Sequence, residues 1–240
     1  MNSIIINNIT YPVKIFFENR KTYRASISKQ AINIRIPKFL SKSQQNKQIN
    51  KLLNWATKRI KKDPESFMRI ESKKYENGSK INILNKEYFL TINYKNKKTG
   101  SSKIMNNNII ISLPLNLTEK ETSKLVSSLL SRCIGVEQLP WLETVLNDLN
   151  NKYFKKKIGK IRFKYNKSNW GSCSPKNNIN INTRLLLAPE PVLKYVCIHE
   201  LAHLIVRNHS KKFWAIIEKV MPDYKEKQNW LKKNRNKCWF

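Results

Sequence analysis

The chain has 240 residues and a formal net charge of +31, from 47 Lys and Arg against 16 Asp and Glu. Hydrophobic residues make up 40%, enough for a core, but no run approaches the ~20 apolar residues of a membrane-spanning helix. Cys133, Cys173, Cys197 and Cys238 lie far apart with no C-x-x-C pair. That excludes a disulfide scaffold and a cysteine-type zinc site, and fits reduced thiols in the cytoplasm.

The apolar run within Met1–Asn8 has no basic lead-in and no small-residue cleavage site, so no signal peptide is expected. The charge has two explanations. One is attraction to a polyanion, a nucleotide or a nucleic acid. The other is a composition rich in Lys, Asn and Ile throughout, of the kind A/T-rich genomes encode.

Three strands are expected over residues 11–17, 23–27 and 31–36, the last alternating with period two before Pro37. Residues 41–62 read as a helix, with Ile49, Leu52, Leu53, Ala56 and Ile60 at spacings of three and four, ended by Asp63-Pro64. After a turn at Asn77-Gly78-Ser79, four more strands are expected near 80–84, 87–94, 101–105 and 108–113. Thr118 and Glu121 form a capping box for a helix whose break is expected at Gly135. A second helix is expected from Pro140 to Lys156, then a strand over 158–165. A compact turn at 168–175 precedes a strictly alternating strand over 178–185. No internal repeat is expected. A soft domain boundary falls near Leu115, separating a β-rich N-terminal region (1–115) from a catalytic region (116–240).

Pro189 and Pro191 open the helix that matters most. It carries His199-Glu200-Leu201-Ala202-His203, an H-E-x-x-H pattern, and His209 follows six residues later. These are all the histidines in the chain. On a helix, residues four apart are offset by only ~40°, so His199 and His203 can reach one ion, at ~2.0–2.1 Å for zinc. Glu200, rotated by ~100°, is free to act as a base instead. His209 would point away on a continued helix, so the helix must break first, with Asn208 suited to a left-handed cap and Ser210 to the start of a new helix. The count matches that of metzincins, but Val206 stands where their glycine would be. Glu218 or Asp223 is the competing third ligand.

From Ser168 to Leu231 the chain carries a run of linked motifs: Trp170-Gly171-Ser172-Cys173-Ser174, Asn180–Leu187 with Arg184-Leu185, and Tyr195-Val196. The run continues through His199–His203, Asn208-His209-Ser210, Phe213-Trp214, Pro222-Asp223-Tyr224 and Trp230-Leu231. Together these give the chain a resemblance to the YgjP-like (DUF45) metallopeptidase family, relatives of the SprT-like and WLM proteases. It implies an α+β chain in which a β-rich N-terminal half precedes a zincin-like core, with His199, His203 and His209 holding one Zn2+ and Glu200 as base. It also implies that the Trp170–Ser174 turn and the 178–185 strand lie near the cleft, with Trp170 and Ser172 shaping the substrate site.

Three functions compete. The first is a metallopeptidase acting on a peptide or protein, which would lie along the 178–185 strand, with Arg184 or Tyr224 as candidate oxyanion donors. The second is a metal-dependent nucleoside triphosphate pyrophosphohydrolase on the same site. The third is a nucleic-acid-associated protease or binding protein, with aromatics among basic residues at 153–157 and 230–240 as candidate stacking groups.

Overall fold

Alternation of isoleucine with polar residues makes the first third of the chain a sheet former. β1 (Ser3–Ile6), β2 (Ile9–Glu18), β3 (Arg24–Ile27) and β4 (Ile32–Pro37) pair in the order β1-β2-β4-β3, with β2 and β4 parallel. One face carries Ile6, Tyr11, Val13, Ile32, Ile34 and Ile36, all buried against Leu53, Ala56 and Ile60 of α1 (Lys42–Lys62). Ser41 caps α1, its hydroxyl accepting from the Gln44 amide while the Gln44 side chain accepts from the Ser41 amide. The computed structural model describes residues 3–28, 31–64, 67 and 73–240. Residues 1–2 of the leading run and 29–30 before the third expected strand lie outside these. The chain divides into two units, Met1–Glu71 and Ser72–Phe240.

The second unit begins by repeating the first. β5 (Lys80–Ile83), β6 (Lys86–Lys95), β7 (Ser101–Met105) and β8 (Asn108–Pro114) pair as β5-β6-β8-β7, and α2 (Glu119–Glu137) follows. The two copies are offset by 77 residues, as Ile4 to Ile81 and Ile34 to Ile111 show. The offset keeps every strand register: Ile4↔Tyr11 becomes Ile81↔Tyr88, Val13↔Ile32 becomes Leu90↔Ile109, and Arg24↔Arg35 becomes Ser101↔Ser112. Even the capping box recurs, Ser41 and Gln44 returning as Thr118 and Glu121. The chain therefore contains a ββββα duplication where no repeat was expected. Few positions are identical, and period-two strands resemble one another anyway.

The expected boundary near Leu115 falls inside the second unit. The reason is packing: Ile81, Tyr88, Ile109, Ile111 and Leu113 of the second sheet share one core with α2 and with the helix that bears the histidines. Helix α2 also runs through Gly135 instead of breaking there. A Cβ at Gly135 would sit 3.3 Å from Phe163 Cβ and Thr183 Cγ2, so the glycine serves close packing.

After α3 (Leu139–Leu149) comes a π-helical turn (Asn150–Phe154), so the expected long helix changes pitch at Asn150. A small sheet follows: β9 (Ile161–Lys164), β10 (Gly171–Cys173) and β11 (Ile179–Asn182), in the order β10-β11-β9. The expected strand over 178–185 stops at Asn182. The Asn182 side chain accepts from the Arg184 amide and starts a 3-10 helix, Thr183–Leu187. Helices α4 (Glu190–Ala202), α5 (Lys211–Val220) and α6 (Tyr224–Asn234) complete the unit. Among the described residues, no helix is long and apolar enough to cross a membrane.

Candidate active site

Helix α4 is buried around most of its girth, through Val192, Leu193, Val196, Cys197, Ile198, Leu201 and Ala202. Pro191 lies in its first turn, and Glu190 favours the positive end of the helix and pairs with Lys194 at 2.7 Å. The helix ends directly after Ala202. Leu204 N–H donates to Leu201 O (2.9 Å), and both Ile205 and Val206 N–H donate to Ala202 O (3.0 Å each), closing the last turn. Asn208 does not take the left-handed conformation expected of it. It acts through its side chain instead, Oδ1 accepting from Ser210 N–H at 3.3 Å. The early stop at His203 leaves five residues, Leu204 to Asn208, to swing His209 back over the helix.

One ring nitrogen from each of His199, His203 and His209 lies within 4.8 Å of the other two. His199 Nε2 and His209 Nε2 are 3.0 Å apart. Nitrogens sharing a tetrahedral zinc at ~2.0–2.1 Å would stand a little over 3 Å apart, so this donor set fits that ion. His203 Nδ1 lies 3.1 Å from Val206 O, which selects the tautomer that donates from Nδ1 and leaves Nε2 with its lone pair. Phe213, from α5, lies 4.5–4.9 Å from all three rings, centroid to centroid, and holds them together. Burial, helped by the neighbouring imidazoles, lowers the His199 pKa to about 3. Burial also lowers His203. Both are therefore neutral at pH 7, the state that binds metal.

Glu200 is 5% exposed, and burial pushes its carboxyl up to about 8. It stands against β10, where Gly171 leaves it room: a Cβ there would lie 2.5 Å from Oε1. Trp170 and Ser172 line the same cleft of about 600 Å³, with Cys173, Tyr195, Arg207, Lys232 and Arg235. Arg207 donates to Ser174 O (2.8 Å), Asn177 Oδ1 (2.5 Å) and Cys173 Sγ (3.3 Å).

Two candidates lie elsewhere. Arg184 is 1% exposed, with Nε donating to Cys238 O (2.5 Å) and Nη2 to Arg235 O (2.6 Å). Tyr224 is buried, stacked on Tyr195 and Trp214. Neither lines the cleft. The competing ligands are also engaged apart from the histidines: Glu218 faces Lys225 at 3.9 Å, and Asp223 pairs with Lys227. The 178–185 segment does not offer a free edge either. β11 is the central strand, paired on both sides, and the edge beside Glu200 is β10.

Gly171 and Cys173 belong to the Trp170–Ser174 turn expected near the cleft, although no role was expected of either, and Arg207 is a lining residue that sequence reasoning missed. No motif signalled Arg207, and nothing in spacing ties residues near 171 to residue 200.

A histidine triad over a buried glutamate, on a helix beside a short edge strand, defines a metal-dependent hydrolase of the metallopeptidase kind. The model of the YgjP-like metallopeptidase domain matches residues 21–234, and the chain belongs to that family. A stretch of 54 residues is 37% identical to the UTP pyrophosphatase of Escherichia coli (strain K12), covering 22% of this chain and 32% of that protein. The match thus spans about a third of that relative's length. Among solved structures, the chain is similar to the metallopeptidase zymogen of Pyrococcus abyssi abylysin, with 29% identity and a TM-score of 0.35 over 38% of this chain and 92% of that one. It is also similar to the metallopeptidase zymogen of Methanocaldococcus jannaschii jannalysin, with 22% identity and a TM-score of 0.34, over 37% and 91%.

Proposed function

We propose that the chain is a zinc metallopeptidase in which His199, His203 and His209 hold one Zn2+ per chain and Glu200 is the general base. The observation that carries this is the convergence of three imidazoles beside a buried carboxylate in an open cleft. When bound, zinc supplies Lewis acidity to the attacking water and to the scissile carbonyl. With the cation bound in the same cleft the Glu200 carboxyl would be held ionised, so that it takes the water's proton on a carboxylate oxygen and returns it to the leaving nitrogen. The substrate strand adds to β10 on the side where no strand of its sheet pairs, displacing the Asn169 side chain from the Gly171 carbonyl, with Trp170 and Ser172 beside it. The four free thiols suit a reducing compartment, and we assign the protein to the cytoplasm. The test is Glu200→Gln: it should keep bound zinc and lose cleavage of an unfolded protein substrate. Undiminished cleavage would reject the mechanism.

A second reading, nucleoside triphosphate pyrophosphohydrolysis on the same site, draws on the cleft's cations. Arg207, Lys232 and Arg235 line it, and among the described residues Glu200 is the only acidic one there. The stretch shared with a relative named UTP pyrophosphatase adds to it. Nucleoside triphosphates offered beside unfolded protein, to wild type and Glu200→Gln, separate the two readings.

A further inference from the structure

The duplication provides an internal control for the charge. A biased genome would enrich lysine in both copies alike. Yet α1 carries seven Lys and Arg and no acidic residue, while α2 carries three basic and three acidic residues. The last turn of α1, with Arg59, Lys61 and Lys62, is favoured by the helix dipole whether or not it meets a ligand. Lys47 and Lys51 are not, nor is Trp55, which is 47% exposed.

Lys47, Lys51, Trp55, Lys58 and Lys62 fall at spacings of four, four, three and four. They occupy an arc of ~80° and a length of ~22 Å on one side of the helix. All five are exposed, and none of the four lysines joins an ion pair among the described residues. The apolar side of α1, with Leu53, Ala56 and Ile60, is already spent on the sheet. In the second copy, part of the outer helix face is a docking face. Ser131, Gly135 and Gln138 are buried, where the first copy has exposed Asn54, Lys58 and Lys61.

We propose that this face of α1 binds a nucleic-acid strand, with phosphates along the lysines and a base stacked on the Trp55 indole. The charge selects a polyanion. The stripe has one aromatic and no aliphatic residue, so it lacks the apolar face by which an amphipathic helix enters a membrane. Exposed tryptophan among lysines is the pairing that holds single strands without reading sequence. The site does not depend on the metal centre, so it stands or falls separately from the hydrolase.

The experiment is fluorescence anisotropy of a labelled oligothymidylate with the full chain across a salt series. Lys51→Glu with Lys58→Glu should weaken binding about tenfold or more and flatten the salt slope by about two. Trp55→Ala should weaken it by roughly fivefold or more. Lys120→Glu with Lys124→Glu on α2 makes the same change in net charge and should have little effect, as should Glu200→Gln. If charge reversal unfolds α1, judged by circular dichroism, Lys51→Gln with Lys58→Gln gives the same comparison. Equal losses from the α1 and α2 pairs would overturn the proposal, as would an indifferent Trp55→Ala. Binding to phosphatidylserine vesicles, but not to oligonucleotide, that depends on the α1 lysines would also overturn it.

Discussion

A Cβ on Gly171 would lie 2.5 Å from Oε1 of Glu200, 2.8 Å from its Cγ and 2.9 Å from its Cδ. Glycine is present there because β10 runs directly along the carboxylate, with no backbone strain involved. Gly171→Ala should therefore displace Glu200 while leaving the histidines in place. A misplacement on the order of 1 Å lowers turnover by about a hundredfold. The expected result is hydrolysis reduced by that factor with zinc content unchanged, read by activity and elemental analysis on the same preparation. Loss of metal in parallel would show that β10 supports the triad instead.

The Glu200 carboxyl sets a pH dependence in the metal-free protein. Its pKa is about 8 when folded, because of burial, against roughly 4.3 in an unfolded chain. Below about pH 4 both states hold the proton, and the group has no effect on stability. Between there and pH 8 the unfolded chain releases the proton and the folded chain keeps it. Stability then falls as pH rises, by up to about 1.4 kcal/mol per pH unit. His199 and His203, with lowered pKa values, act in the opposite sense in acid, but they are common to both proteins and cancel in a difference. Chelator-treated Glu200→Gln should match wild type at pH 4 and exceed it at pH 7 in urea unfolding. Equal stability at both pH values would contradict the burial of a costly charge.

The chemistry of the site was legible in the sequence because it is local. His199, Glu200 and His203 follow from one helix, and the capping box at Thr118 and Glu121 from four residues. What was not legible is long-range. Strict alternation through 178–185 placed Arg184 on a wet strand face, but the Asn182 side chain ends the strand and turns Arg184 inward. The helix break before His209 was expected at Asn208. It comes at His203, where three main-chain hydrogen bonds close the turn without a left-handed residue. The duplication was hidden because its signature is a shared register, not shared residues.

Metal removal tests the triad against its competitors. His203→Ala should lose bound zinc, whereas Glu218→Ala and Asp223→Ala should keep it, since both carboxylates are engaged with lysines away from the cluster. Because the ion binds the folded chain, chelation should lower the thermal midpoint and added zinc restore it. At a thousandfold excess over Kd the stabilisation is about 4 kcal/mol. Retention of zinc by His203→Ala would reject the histidine set.

Arg184 ties the C-terminal segment to the wall of the cleft. Its guanidinium lies 3.7 Å from the Trp239 ring centroid and 4.6 Å from that of Trp170, the latter a lining residue. Its nitrogens hold the carbonyls of Cys238 and Arg235. Burial lowers its pKa only to about 10, so it remains charged at pH 7. Hydrogen bonds to a charged group contribute roughly 1.5–3 kcal/mol each. Arg184→Leu leaves two carbonyls unpaired and should destabilise the protein by on the order of 4 kcal/mol. Arg184→Lys should recover only part, since an ammonium cannot bond both carbonyls in one plane or stack between two indoles. With Trp170 and Arg235 both loosened, KM should rise more than kcat falls, and zinc content should not change. Thermal unfolding, elemental analysis and the KM-against-kcat split check this together. A fall in kcat with stability and KM intact would instead make Arg184 a participant in the reaction.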